Sequence, residues 1–484
     1  MTDYFSIDQN VSLDKLPAAA KIHVIGTAGV AMAQLAVLLA ERGYRVSGSD
    51  KRFYEPMGSL LRRSPVRICE GYSADNLTAD LDLVVIGNVA SRSHPEVQQV
   101  QKLGLPYTIF PELLYELLIK GRHSVVCAGT HGKTTTSALA ATLFEKLGRK
   151  PSWFIGGAVN ELPESLHAGD GQISVVEGDE YDSAFFAKVP KFTFYKPDTL
   201  IVTSVEYDHA DIYSSLEQIN AEFTKLVMGM PAGGTAICCL DDSNLADLAA
   251  EWAGRSACRV VTYGHSAQAD YRIVKSEQQG RLREVQVESK TQGNFKFSLP
   301  LPGAHNARNA LAVVIAALGA GASLDDIKAG LLSFQGVKRR QQVRLDRDGL
   351  IVIEDFAHHP TAVQETISAV REAYPDRRVW AIFEPRSTTS RRKVFQDDYV
   401  RAFKGAHRVV LSQVESLGGE AESELLDVAT LAEKVQEAGT TAVCLPGAES
   451  IFELVKKEAK AGDLLLVMSN GAFGGLIDLL ISGL

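Results

Sequence analysis

The run Ala128-Gly-Thr-His-Gly-Lys-Thr-Thr-Thr136 holds the residue types that bind a nucleoside triphosphate. A polyphosphate needs backbone N–H donors, a helix N-terminus, a lysine across the β- and γ-phosphates and a hydroxyl beside Mg²⁺. Gly129 and Gly132 frame the turn, Thr130 and His131 lie between them, Lys133 follows, and Thr134 and Thr135 open a helical pattern. Position 127 is Cys where the usual G-x-x-x-x-G-K-[ST] loop has Gly, so only G-x-x-G-K-T is met. That departure argues against an ordinary GTPase or kinase. The bland reading is a plain strand-to-helix turn, which the buried-strand signal just before it disfavours.

Glu177 ends an apolar run at 173–177, where a hard cation beside the phosphates would find an oxygen ligand. Glu177, Asp179, Glu180 and Asp182 lie so close together that they also read as a solvated loop. His209, in Glu206-Tyr-Asp-His-Ala-Asp211, follows another strand signal and can ligate a metal as neutral imidazole. Taken alone, a histidine in that place is more often structural. A second turn, Gly26-Thr-Ala-Gly29, departs from the dinucleotide pattern G-x-G-x-x-G by carrying Ala at 28. Asp50, at the end of the next strand signal, stands where an acid would meet a ribose. A dehydrogenase is therefore one rival reading, and a catalytically silent nucleotide-binding module is another. The first leaves Lys133 and its loop unexplained. One nucleotide-linked substrate at the first turn and hydrolysis of a second nucleotide at the other accounts for both.

These residues need elements to hold them. Three stretches begin with a strand signal and continue as alternating strands and helices, the pattern of doubly wound parallel sheets. In the first, strand signals at 21–25, 45–50 and 81–87 flank a helical pattern at 30–40; the second starts at 124–129 and leads into a helix at about 134–147. Short alternating stretches between about 270 and 300 predict a small antiparallel insertion, and a third unit begins near Val337. The expected domains are 1–120, 121–336 and 337–484, in keeping with 484 residues at the usual 100–200 or so per domain.

Composition excludes several classes. With 45% hydrophobic and 23% charged residues the chain is globular rather than disordered. A net charge of −9, spread evenly, recruits no nucleic acid through bulk attraction. The six cysteines show no CxxC pair and read as small core residues of a reducing compartment. The first residues, MTDYFSIDQN, do not read as a secretory signal, and the longest apolar stretch, 310–322, is short of a membrane span. A cytoplasmic location without membrane partners is expected.

Gly129-Thr-His-Gly-Lys-Thr-Thr, Glu177-Gly-Asp-Glu, Asp208-His-Ala-Asp, His305-Asn-Ala-Arg-Asn309, Lys338-Arg-Arg340 and Glu354-Asp-Phe-Ala-His-His-Pro360 occur in this order. Together they resemble the ATP-dependent amide ligases of the Mur family, over essentially the whole chain. The resemblance implies an α/β fold of three domains: a Rossmann-like N-terminal domain, a P-loop central domain and a Rossmann-like C-terminal domain. Two branches share these motifs. One adds L-alanine to UDP-N-acetylmuramate, and the other attaches the preformed tripeptide L-alanyl-γ-D-glutamyl-meso-diaminopimelate in cell-wall recycling. Glu180-Tyr-Asp-Ser-Ala-Phe-Phe-Ala-Lys, Phe383-Glu-Pro-Arg-Ser-Thr-Thr389 and Val467-Met-Ser-Asn-Gly-Ala-Phe-Gly-Gly475 look like the second branch.

The resemblance also implies roles. ATP and Mg²⁺ are the expected cofactors. Lys133 clamps the phosphates within the loop of Gly129, Thr130, His131, Gly132, Thr134 and Thr135; Thr134 and Glu177 hold one metal ion, and His209 with Glu177 serves a second. Asn306 and Asn309 hold ATP around its adenine, and Arg340 and Asp355 reach it from the third domain. Lys133, Glu177, His209 and Arg340 are thus the expected catalytic set. Gly26, Gly29, Asp50, Asn88 and Ser91 would face the UDP-sugar, although a strand-end Asp or Ser is as often a helix cap. Arg386 and His358 would meet the peptide, because several carboxylates want guanidinium forks; Arg391 and Arg392 read equally as a solvated helix start. Some family members carbamylate a lysine about fifteen residues after the metal-binding histidine; here that place is Thr224, and the neighbouring Lys225 reads as a surface residue. A monomer or weak homo-oligomer is expected.

Overall fold

The computed structural model describes residues 4–7, 12–210, 212–414 and 424–484. Asp211, the last residue of one motif, and much of the opening decapeptide lie outside the described residues. The first sheet is all parallel, in the order Arg67–Glu70, Arg45–Asp50, Lys21–Ile25, Leu83–Ile86, Tyr107–Ile109. Helices cover both faces, so its interior strands are buried: Leu83–Ile86 is apolar and buried throughout, and Arg45–Asp50 is buried at its middle four residues although mostly polar. The order reverses between Lys21–Ile25 and Leu83–Ile86. That reversal opens a crevice at the carboxyl ends of the strands, where Gly26 and Gly87 begin their loops.

The second sheet has ten strands. Its parallel middle places His123–Ala128 between Thr199–Val202 and Ile173–Gly178. The phosphate-type loop, the acidic run and the His209 segment therefore leave the same edge side by side. The antiparallel stretch expected as an insertion is instead the end of this sheet. Tyr271–Gln279 pairs in parallel with Arg259–Gly264, and Leu282–Ser289 and Phe295–Leu299 add antiparallel strands beyond it. Continuing an existing sheet satisfies a strand edge that a separate hairpin pair would leave open.

In the third sheet, Leu350–Asp355, Asp463–Met468, Arg378–Phe383, Arg408–Ser412 and Thr441–Leu445 run parallel in that order. An unexpected strand, Gln342–Arg347, pairs antiparallel on its edge. One face of the first sheet shares a continuous apolar core with the second sheet and its other face has a cluster of its own, while the third sheet has separate clusters on its two faces. The third unit docks on the second mainly through polar contacts: Arg308 with Glu365, Arg283 with Glu372, and the Thr361 hydroxyl on Glu206. No helix among the described residues is long and apolar enough to cross a membrane.

Candidate active site

Gly129 and Gly132 both sit at positive φ, 128° and 82°, as the chain turns from His123–Ala128 into the helix Lys133–Lys146. Side chains are unwelcome there: a Cβ on Gly129 would lie 2.3 Å from Thr203 Oγ1, and one on Gly132 2.9 Å from Asn309 Oδ1. Lys133 folds back over the turn, donating to the Gly129 carbonyl at 2.7 Å and to Glu180 at 2.9 Å. Burial works against the ammonium, but Glu180 and Asp179 outweigh it and hold its pKa above the ordinary value.

Thr134 donates its hydroxyl to Glu177 Oε1 at 2.8 Å, and the Gly156 N–H donates to Glu177 Oε2 at 2.6 Å. Glu177 is buried, which pushes its carboxyl pKa up, with Asp179 adding to the effect. Two adjoining oxygens of this kind suit a hard cation that keeps part of its water shell. His209, expected to serve a metal ion with Glu177, makes its own side-chain contact to a neighbouring acid of the same run. His209 Nε2 meets Glu180 at 2.7 Å, because the strand ends at Gly178 and the following turn carries Glu180 back over the loop. Glu180 thus bridges Lys133 and His209 while nearly inaccessible. Burial alone would raise its pKa, yet Lys133 and His209 hold it below the usual carboxylate range. His209 sits at a φ of 53° with its N–H donating to Thr389 Oγ1 of the third unit at 3.0 Å. Lys225 is exposed, as expected, and Thr224 accepts a bond from Trp252 Nε1.

A cavity of about 330 Å³ opens beside this cluster, between the second and third sheets. Gly132, Thr135, Asn306, Asn309, Arg340 and Asp355 line it, so the expected ATP residues from two units converge. Asn309 lies against Gly132 of the loop, while Asn306 donates to the Pro302 carbonyl at 2.7 Å. Arg340 reaches Thr134 Oγ1 at 3.3 Å and stacks over the Phe356 ring, 4.8 Å from its centroid. Asp355 accepts from the N–H groups of Gln341 and Ala357, both at 2.7 Å, and burial raises its pKa.

The remaining expectations fall in two other places. Gly26, at φ 81°, begins the turn of the first sheet, and Gly29 caps the helix Val30–Glu41. Asp50 accepts from the Ala28 N–H at 2.9 Å and from the Tyr72 hydroxyl at 3.2 Å, while Asn88 and Ser91 are exposed beside the same crevice. His358 and Arg386 are not brought together. His358 turns toward Asp208, its pKa lowered to about 4 by burial, and its carbonyl is held by the Tyr399 hydroxyl. Arg386 lies exposed in a separate cavity of about 330 Å³ with Glu384, Arg391 and Ser412, and pairs with no carboxylate among the described residues. Glu180 and Glu206 are the residues that sequence reasoning missed. Both stand inside runs it had marked, but adjacency in sequence does not say which acid of a run turns inward.

Three matches to known families cover most of the chain: the Mur ligase family catalytic domain over residues 21–122, the Mur ligase middle domain over 127–317, and the Mur ligase glutamate ligase domain over 339–471. The UDP-N-acetylmuramate–L-alanyl-γ-D-glutamyl-meso-2,6-diaminoheptandioate ligase of Escherichia coli is 36% identical, covering 96% of this chain and 98% of its own. A UDP-N-acetylmuramate–L-alanine ligase of a Geobacter strain is 32% identical over 93% of this chain and 95% of its own. Among solved structures, a murein peptide ligase from Psychrobacter arcticus matches with a TM-score of 0.69 at 30% identity, over 96% of this chain and 98% of that one.

Proposed function

Because the chain belongs to the Mur ligase family of ATP-dependent amide ligases, we propose that it joins L-alanyl-γ-D-glutamyl-meso-diaminopimelate to UDP-N-acetylmuramate in peptidoglycan recycling. The observation that carries this reading is end-to-end similarity to the tripeptide ligase of Escherichia coli, higher than to the L-alanine ligases. The exposed Arg386, in a polar cavity apart from the phosphate loop, suits an acceptor with several carboxylates.

The lactyl carboxylate attacks the γ-phosphorus of ATP, ADP leaves, and an acyl phosphate forms. The alanyl amine then attacks the acyl carbon, and phosphate departs from the tetrahedral intermediate as the amide forms. Charge spreads over the transferring phosphoryl oxygens, so cations and N–H donors are the main catalytic means. Lys133 is placed for the β- and γ-phosphates, and Arg340 brings a second fixed cation from the third unit. Thr134 and Glu177 fit Mg²⁺, which would neutralise phosphate charge there; His209 stands behind them on Glu180. Asn306, Asn309 and Asp355 hold the nucleotide between units. Gly26, Gly29, Asp50, Asn88 and Ser91 take the UDP-sugar at the first crevice. The units run over 1–120, 121–336 and 337–484, and the polar docking of the third suits a domain that opens to load and closes to exclude water from the acyl phosphate.

ATP turnover with UDP-N-acetylmuramate tests the reading. Tripeptide should stimulate phosphate release strongly and free L-alanine should not. Stimulation by L-alanine alone would assign the chain to the de novo pathway instead.

A further inference from the structure

Beside the phosphate loop, three side chains from three different segments meet. His131 belongs to the loop, Glu206 follows the strand Thr199–Val202, and His359 caps the helix Pro360–Ala373 of the third unit. His131 Nε2 lies 3.3 Å and His359 Nδ1 3.5 Å from the same oxygen, Glu206 Oε2. One ligand atom from each residue lies within 4.8 Å of the others. The two imidazoles lean together, 4.4 Å between ring centroids.

From these distances we propose that His131, Glu206 and His359 form a binding site for a zinc-class divalent cation that ties the third unit to the central one. Ligand atoms about 2.0–2.2 Å from a tetrahedral zinc ion stand roughly 3.3–3.5 Å from one another. Both measured separations fall in that range. His131 Nε2 is buried yet makes no aligned hydrogen bond, and His359 Nε2 is likewise buried without a partner, an arrangement that native structures rarely leave unexplained. The Thr361 hydroxyl, donating to Glu206 Oε2 at 2.7 Å, fixes the carboxylate as an outer partner does in metal sites. His359 Nδ1 now accepts only the long helix-cap bond from the Thr361 N–H at 3.4 Å, which a metal ion at that nitrogen would replace.

Two imidazoles and one carboxylate favour zinc over magnesium, whereas the oxygens of Thr134 and Glu177 have the opposite preference. His131, Glu206 and Thr361 also line the 330 Å³ cavity, so a fourth coordination position faces the space between the units. Three protein ligands and one open position is the pattern of zinc sites that accept an exchangeable ligand.

The test is zinc titration of the full chain against a chromophoric chelator, with millimolar Mg²⁺ present throughout. One equivalent should bind, and Glu206→Gln and His359→Gln should each weaken it by about ten- to a hundredfold. His167→Ala, at an exposed histidine away from the cluster, should leave it unchanged. Equal affinity in both cluster variants, or no binding by the unaltered chain, would overturn the site. Should either variant fail to fold by circular dichroism, Co²⁺ bound to the unaltered chain decides. Strong visible absorption of a four-coordinate ion is expected, and weak six-coordinate bands would reject the proposal.

Discussion

Two turns of this molecule have the same architecture and opposite chemistry. Each follows a buried parallel strand, uses glycine at positive φ and leads into a helix, at Gly26 in the first unit and at Gly129 and Gly132 in the second. Around the first, Asp50 is spent on the Ala28 N–H, and Asn88 and Ser91 face solvent. Around the second, Lys133, Glu177, Glu180 and His209 are gathered with little access to water. The first turn therefore offers mainly backbone shape and donors, which suits holding a diphosphate that does not react. The second must balance charge against charge, because an unpaired buried charge is strongly destabilising. The two turns thus differ in burial and charge pairing rather than in fold.

The contrast breaks first at Lys133. Lys133→Ala should lower tripeptide-dependent ATP turnover at least about a thousandfold, some 4 kcal/mol of transition-state stabilisation, with UDP-sugar binding retained. A variant within tenfold of the parent would show that the lysine is no phosphate clamp.

A buried imidazole gives the first unit a pH signature of its own. His23 lies inside the sheet, its ring nitrogens 2.8 Å from Ser47 Oγ and 3.2 Å from Ser49 Oγ, and burial with the Arg67 charge lowers its pKa to about 4. The unfolded chain, with an ordinary imidazole near 6.5, binds more protons between those values, so stability is full above 6.5 and falls as pH drops toward 4. The loss amounts to about 3 kcal/mol at most, read by urea denaturation at pH 7.5 and 4.5. His23→Gln should flatten that difference.

Glu180→Gln keeps the shape but removes the charge shared by Lys133 and His209. Turnover should fall about thirtyfold, near 2 kcal/mol, without loss of fold. Unchanged turnover would leave Glu180 a purely structural counter-ion.

The smallest effect belongs to the first turn. Asp50→Ala should raise KM for the UDP-sugar about tenfold, roughly 1.4 kcal/mol, and leave kcat nearly unchanged, since uniform binding is what it removes. A comparable fall in kcat would mean that the first crevice takes part in the reaction.

The parallel strands at 21–25, 173–177 and 378–383 were legible because strands covered on both faces read as apolar runs between polar loops. Gln342–Arg347 was not, since it lies at an edge with its side chains partly or fully exposed and carries no such signal. The stretch at 270–300 showed its alternation but not its attachment, because pairing partners lie outside the local pattern.

The sequence by itself determined the loop of Gly129 to Thr135, the strand-end acids and the family to which they belong, because turns and short motifs are local and their chemistry follows from residue type. Only the tertiary structure decided that Glu180 bridges Lys133 and His209. It also decided that Arg386 and His358 stand apart, and that His131 and His359, 228 positions apart in the chain, lean on one carboxylate. Which members of a charged run turn inward depends on what the neighbouring strands and the docked third unit place opposite them, and no local pattern carries that information.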